Sequence, residues 1–168
     1  MPKIIENLEA RLVEEAKRQV LESGYSAVSI RSVASACGVG VGTVYNYFPS
    51  RDLLLAAYLL QDWEKCVRAI EEAADTLEDP EKVLRVIYDR LREYSLRNQA
   101  VFREESAIAA YAGVYANYHG KLRSQLVRPL KKFCADSFMA DFVAEAMITW
   151  TMAGADFREL YGILGKIL

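Results

Sequence analysis

Apolar residues recur along this chain at intervals of three and four, the period of a helix with one buried face. Ile5, Leu8, Leu12, Ala16 and Val20 trace the first such face, which ends near Gly24. A short second helix is expected behind Ser29, whose hydroxyl can cap it, with Ile30, Val33, Ala34 and Cys37 facing inward. Gly38 permits a sharp turn. A third helix then runs from about Val41 to Phe48, and Pro49 stops it. No stretch alternates apolar and polar residues between turn signals, so no strand is expected.

Ser50 can cap a long fourth helix through Leu53, Leu54, Ala57, Leu60 and Val67 to about Ala74. Asp79-Pro80 pairs a cap with a proline at the first helical position, opening a fifth helix along Val83, Val86, Ile87, Leu91 and Tyr94. Gly113 and Gly120 argue against one continuous helix from Gln99 to Cys134; a break near Gly113 and a kink at Pro129 are expected. Residues 140–153 are apolar almost all round, the signature of a helix covered on more than one side. Phe157, Leu160, Tyr161, Leu164 and Leu168 stripe a final helix. This pair could bury its apolar residues within one chain, or use Phe142, Met147, Trp150, Phe157, Leu160, Tyr161 and Leu164 to meet a second copy; self-association is the favoured reading.

The fold class is therefore all-α, with about nine helices. Residues 1–50 form a three-helix head, with a helix-turn-helix at about 29–48, and residues 51–168 form a helical bundle. Composition agrees: 52% apolar and 26% charged residues describe a globular chain. No apolar run approaches the roughly 18 residues of a membrane span, and the charged start MPKIIENLEARLVEE does not read as a signal peptide. Cys37, Cys66 and Cys134 are odd in number and far apart, which suits a reducing cytoplasm. A single histidine, His119, leaves little for a metal site, and none is expected.

Net charge misleads at first. The value of −2 does not suggest a nucleic-acid binder. Up to Arg51, six basic residues face five acidic ones, or +1; beyond it fifteen face eighteen, or −3. Ser23 to Arg51 contains no Asp or Glu yet carries Arg31 and Arg51. A surface meant to approach phosphates gains by excluding carboxylates.

At about 100° per residue, Val44 and Phe48 fall on one side of the third helix. Gly42, Thr43, Asn46 and Tyr47 cluster opposite, with Tyr45 at the flank. That uncharged face of a close-approach glycine, a hydroxyl, an amide and phenols suits a major groove, where Asn can pair with an adenine edge. Thr43, with the helix N-terminus, and Arg51 are placed to meet phosphates. A rival reading takes Gly38, Gly40 and Gly42 as a dinucleotide loop. That fingerprint needs a preceding strand and an acidic residue about 20 positions on in a second strand, and neither is present.

The block ESGYSAVSIRSVASACGVGVGTVYNYFPSRDLLLAA resembles the TetR family of transcriptional regulators, over roughly the first third of the chain. The resemblance places Thr43, Tyr45 and Tyr47 at positions that often touch phosphate or bases, Ser29 at a capping hydroxyl that can also meet phosphate, Asn46 at a variable recognition position, and Arg51 at the usual cation after the recognition helix. Relatives often carry Ser-Lys where this chain has Gly40-Val41, so a cap hydroxyl and an early cation are missing. DNA affinity then leans on Arg31, Arg51 and the first helix. Val41 either meets a thymine methyl or packs near Phe48, and packing is the favoured role.

The resemblance also implies a homodimeric, ligand-responsive repressor that binds a palindromic operator in double-stranded DNA. It implies no cofactor beyond a small-molecule effector bound among the middle helices. Candidates for its pocket are Trp63, Tyr88, Tyr94, Phe102, Tyr111, Tyr115, Tyr118 and His119, since phenols inside a bundle want partners. Each has core packing as its alternative. A different class of function, a helical ligand-binding or enzymatic protein, lacks support: no nucleophile–base pair or HExxH spacing is present, and no catalytic residue is expected. A dimerisation module with a degenerate DNA head is the remaining alternative, kept open by Gly40-Val41.

Overall fold

The computed structural model describes residues 7–105 and 120–168, and every regular element among them is helical. In chain order these are α1 (Leu8–Ser23), a 3-10 turn (Tyr25–Ala27), α2 (Ile30–Cys37), α3 (Val41–Tyr47), α4 (Arg51–Ala74), α5 (Pro80–Arg97) and α6 (Gln99–Phe102). Residues 120–130 form α7, followed by α8 (Ser137–Met152) and α9 (Phe157–Leu164). The expected break at Gly113 lies outside the described residues. Helix α7 continues through Pro129 and stops one residue later, in turns and bends over 131–136.

Local chemistry sets most of these boundaries. Ser50 Oγ accepts from Leu53 N at 3.2 Å in the first turn of α4. Asp79 Oδ1 accepts from Glu81 N at 2.9 Å in front of α5. Asp136 and Asp156 do the same for α8 and α9, each at 2.8 Å. Each cap satisfies a backbone donor that the helix itself cannot, for about 1 kcal/mol.

The chain divides into two compact units. Described residues 7–61 and 98–105 form the first, 62–97 and 120–168 the second. In the first, α1 packs on α2, α2 on α3, and α6 on α1. Its core joins Leu12, Ala16 and Val20 of α1 to Val33 and Ala34 of α2, Val44 of α3 and Val101 of α6. It also takes in Leu54, Leu55, Tyr58 and Leu59. The opening of α4 therefore belongs to the head, whose first unit runs past residue 50 because this apolar face is covered there.

In the second unit, α5 packs on both α8 and α9. Val83, Leu84, Ile87 and Leu91 of α5, with Val143, Ala144, Met147 and Ile148 of α8, are buried. Phe157, Leu160 and Leu164 of α9 are buried as well. Met147, Phe157, Leu160 and Leu164, named above as candidate contacts to a second copy, thus pack within their own chain. Tyr161 is half-buried and stacks on Phe157 at 5.8 Å. Among the described residues of this unit, the exposed large apolar side chains are Phe138 (75% exposed), Phe142 and Trp150 (56%) on α8, Ile163 on α9, Leu96 on α5 and Ile167 beyond α9.

Candidate nucleic-acid interface

Helix α2 is held at both ends by α1. At its start, Ser29 Oγ accepts from Ser32 N at 3.0 Å and Ser32 Oγ accepts from Ser29 N at 3.0 Å, a reciprocal capping box. The Ser32 hydroxyl lies 2.6 Å from Gln19 Oε1, to which it can donate. Gln19 Nε2 donates to Glu15 Oε1 at 2.8 Å, and Arg18 donates to both Glu15 oxygens at 2.9 and 2.7 Å. The Arg18 guanidinium holds the Glu15 carboxyl below its usual range. Sequence reasoning singled out Ser29 and missed Gln19 and Glu15; the only trace was the Ser-x-x-Ser spacing. At the far end of α2, Arg11 Nη2 donates to Cys37 O at 3.4 Å. Gly38 there adopts φ 69°, the left-handed conformation that closes the helix.

That turn aims α3. Val44 and Phe48 enter the core, while Gly42, Tyr45, Asn46 and Tyr47 are exposed and Thr43 is half-buried. The face expected to read DNA is thus the face the fold leaves open. Gly40 caps α3 with no side chain; its carbonyl accepts from Thr43 N at 3.0 Å. Val41, the first residue of α3, is not among the buried residues of the head. It is 37% exposed, and Val39 is the valine that packs against the head's core. The reason is position: Val41 opens the helix, before the buried stripe of Val44 and Phe48 begins.

Arg51 is less free than a solvent-facing clamp. Its guanidinium lies 4.7 Å over the Tyr25 ring, and its Nη2 is 3.3 Å from Asp52 Oδ1. Tyr25 donates its hydroxyl to the same Asp52 oxygen at 2.9 Å. Burial, with the Asp52 carboxylate second, pushes the Tyr25 phenol up. Arg31 and Ser29 are exposed on α2 and its cap. The carboxylates that bound the acid-free window are both paired, Glu22 with Arg18 and Asp52 with Arg51. The surface therefore presents hydroxyls, an amide and two arginines with little opposing negative charge, which is chemistry suited to phosphates and base edges.

The effector candidates divide between the units. Phe102 is half-buried against the core of the head. Trp63, Tyr88 and Tyr94 are buried in the second unit. There Trp63 Nε1 donates to Gln125 Oε1 at 2.9 Å and meets Tyr94 edge-on at 5.4 Å. The Tyr88 hydroxyl donates to Ala155 O at 3.0 Å, so its polar atom is satisfied by the chain itself. Tyr111, Tyr115, Tyr118 and His119 lie outside the described residues.

Residues 12–58 match the family model described as bacterial regulatory proteins, tetR family. The HTH-type transcriptional regulator Rv1816 of Mycobacterium tuberculosis is 34% identical over 70 residues, 42% of this chain and 30% of that protein. The HTH-type transcriptional repressor KstR of Rhodococcus jostii is 28% identical over 131 residues, 72% of this chain and 62% of that one. The chain thus spans less than two thirds of the length of these curated relatives. Among solved structures, the TetR family repressor AlkX from a Dietzia species shares the fold, with a TM-score of 0.69 at 20% identity over 94% of this chain and 98% of that one.

Proposed function

We propose that the chain is a member of the TetR family of bacterial regulatory proteins, on the match of residues 12–58, and that it is a DNA-binding transcriptional regulator, a repressor that acts as a homodimer on a palindromic operator. One observation carries this reading: the exposed face of α3, made of Gly42, Thr43, Tyr45, Asn46 and Tyr47, stands within a window free of carboxylates from Ser23 to Arg51. Tyr47 and Thr43 contact phosphate or bases, Asn46 reads a base edge, and Ser29, Arg31 and Arg51 hold the backbone. Two such heads dock on half-sites about 34–36 Å apart.

Dimerisation is assigned to the outward apolar face of Phe138, Phe142 and Trp150 with Ile163. The three on α8 are large, exposed and at helical spacing, and Ile163 is exposed on α9. A small-molecule effector is assigned to the second unit, with its affinity linked reciprocally to that for DNA. The protein works in the cytoplasm, where the DNA is.

The test is binding of the full chain to the DNA upstream of its own gene across a salt series. Affinity should fall steeply with salt, and Tyr47→Ala and Arg51→Ala should lose binding while staying folded. Absence of salt-dependent binding to any genomic fragment overturns the proposal.

A further inference from the structure

Val41 is a hydrophobic side chain that lies outside the buried core of the head. It is the first residue of α3, 37% exposed, between Gly40 and Gly42. A Cβ built on Gly42 would meet nothing within 4 Å, and one on Gly40 only Thr43 Oγ1 at 3.8 Å. The isopropyl group is therefore the sole side chain projecting from the first two positions of the helix. In a helix-turn-helix, the N-terminal residues of the second helix are the ones that reach base edges. The helix carries no Arg or Lys, so the commonest guanine contact is not available to it. What an isopropyl group can recognise in a major groove is the one apolar feature there, the 5-methyl group of thymine.

We infer that Val41 is a specificity-determining residue that packs against a thymine methyl in each operator half-site. Tyr45, one helical turn later and also exposed, borders the same contact. The flanking glycines let the backbone come close enough for a short side chain to reach. The inference rests on the DNA-binding reading above and refines it.

The experiment begins with duplexes recovered by the full chain from a random oligonucleotide pool. Each thymine of the recovered half-site is then replaced singly by deoxyuridine, which lacks only the methyl group. At one position the wild-type chain should lose affinity about fourfold, the value of one buried methyl. Val41→Ala should bind the thymine and uracil duplexes equally at that position. Comparing the two duplexes with one protein sample cancels any loss of folded protein. If duplexes are recovered but no thymine is sensitive, or Val41→Ala keeps the full discrimination, the inference is overturned and the DNA-binding reading stands. If no duplex is enriched, both are overturned.

Discussion

Tyr25 and Asp52, 27 residues apart in sequence, are joined by a 2.9 Å hydrogen bond from the phenol to the carboxylate, under the guanidinium of Arg51. One ring thereby ties the turn after α1 to the start of α4 and holds the cation over it. Tyr25→Phe keeps the ring and deletes the bond. It should destabilise the chain by about 1 kcal/mol, a melting shift of about 2–4 °C in a chain of this size. Thermal unfolding followed by circular dichroism measures it. An unchanged melting temperature would show that the bond contributes nothing.

Asp52 also offsets the charge of Arg51. Asp52→Asn removes the negative charge and leaves an acceptor for Tyr25. Non-specific DNA affinity at low salt should then rise about two- to fivefold, the scale of one exposed ion pair, and the gain should fade as salt screens it. Fluorescence anisotropy at two ionic strengths decides; a loss of affinity contradicts it.

Gln19 and Ser32 test whether tethering α2 to α1 matters. Ser32→Ala breaks the capping box and the link to Gln19 together and should cost about 1–2 kcal/mol. Gln19→Ala leaves the capping box intact, breaking the link and the Gln19 bond to Glu15, and should cost less. Equal costs in urea denaturation would mean that the cap itself contributes nothing.

The two sides of α8 should respond in opposite ways. Phe142→Asp and Trp150→Glu alter exposed residues and should leave a folded monomer, seen by analytical ultracentrifugation. Met147→Ala opens a cavity inside the chain and should cost about 2–5 kcal/mol at whatever oligomeric state the wild type has. A wild-type chain that is monomeric at high concentration rejects the dimer assignment.

Cys66 is buried, its thiol donating to Arg90 O at 3.5 Å, and burial pushes its pKa up to about 12 from the usual 9.0. The folded chain therefore keeps a proton that the unfolded chain releases above pH 9. This stabilising effect is fully present below pH 9 and is lost as pH climbs toward 12, at up to about 1.4 kcal/mol per pH unit. Relative to Cys66→Ala, the wild type should lose stability from pH 9 upward in denaturant titrations, whereas parallel profiles would contradict it.

How far the chain could be read beforehand follows from the range of each interaction. Ser29, Ser50, Asp79 and Pro80 mark helix ends because a cap acts within three residues. The uncharged face of α3 was legible for the same reason: Val44 and Phe48 define the inside, and the helical period then assigns Thr43, Asn46 and Tyr47 to the outside. Val41 was not legible, since one turn of helix does not say where the neighbouring core stops.

By itself, then, the order of residues determined the helices, their caps and the open, uncharged face of α3, because these depend on backbone hydrogen bonds and periodicity a few residues long. Tertiary structure alone decided which apolar residues of α8 and α9 are spent inside the chain. Met147 and Phe142 look alike in a helix that is apolar all round; only the packing of α8 in its unit, where it meets α5 and α9, buries the first and leaves the second exposed. It likewise placed Tyr25 beneath Arg51 and Gln19 beside Ser32. Such pairings are contacts between distant segments, and burial depends on what packs against a face, which no local pattern records.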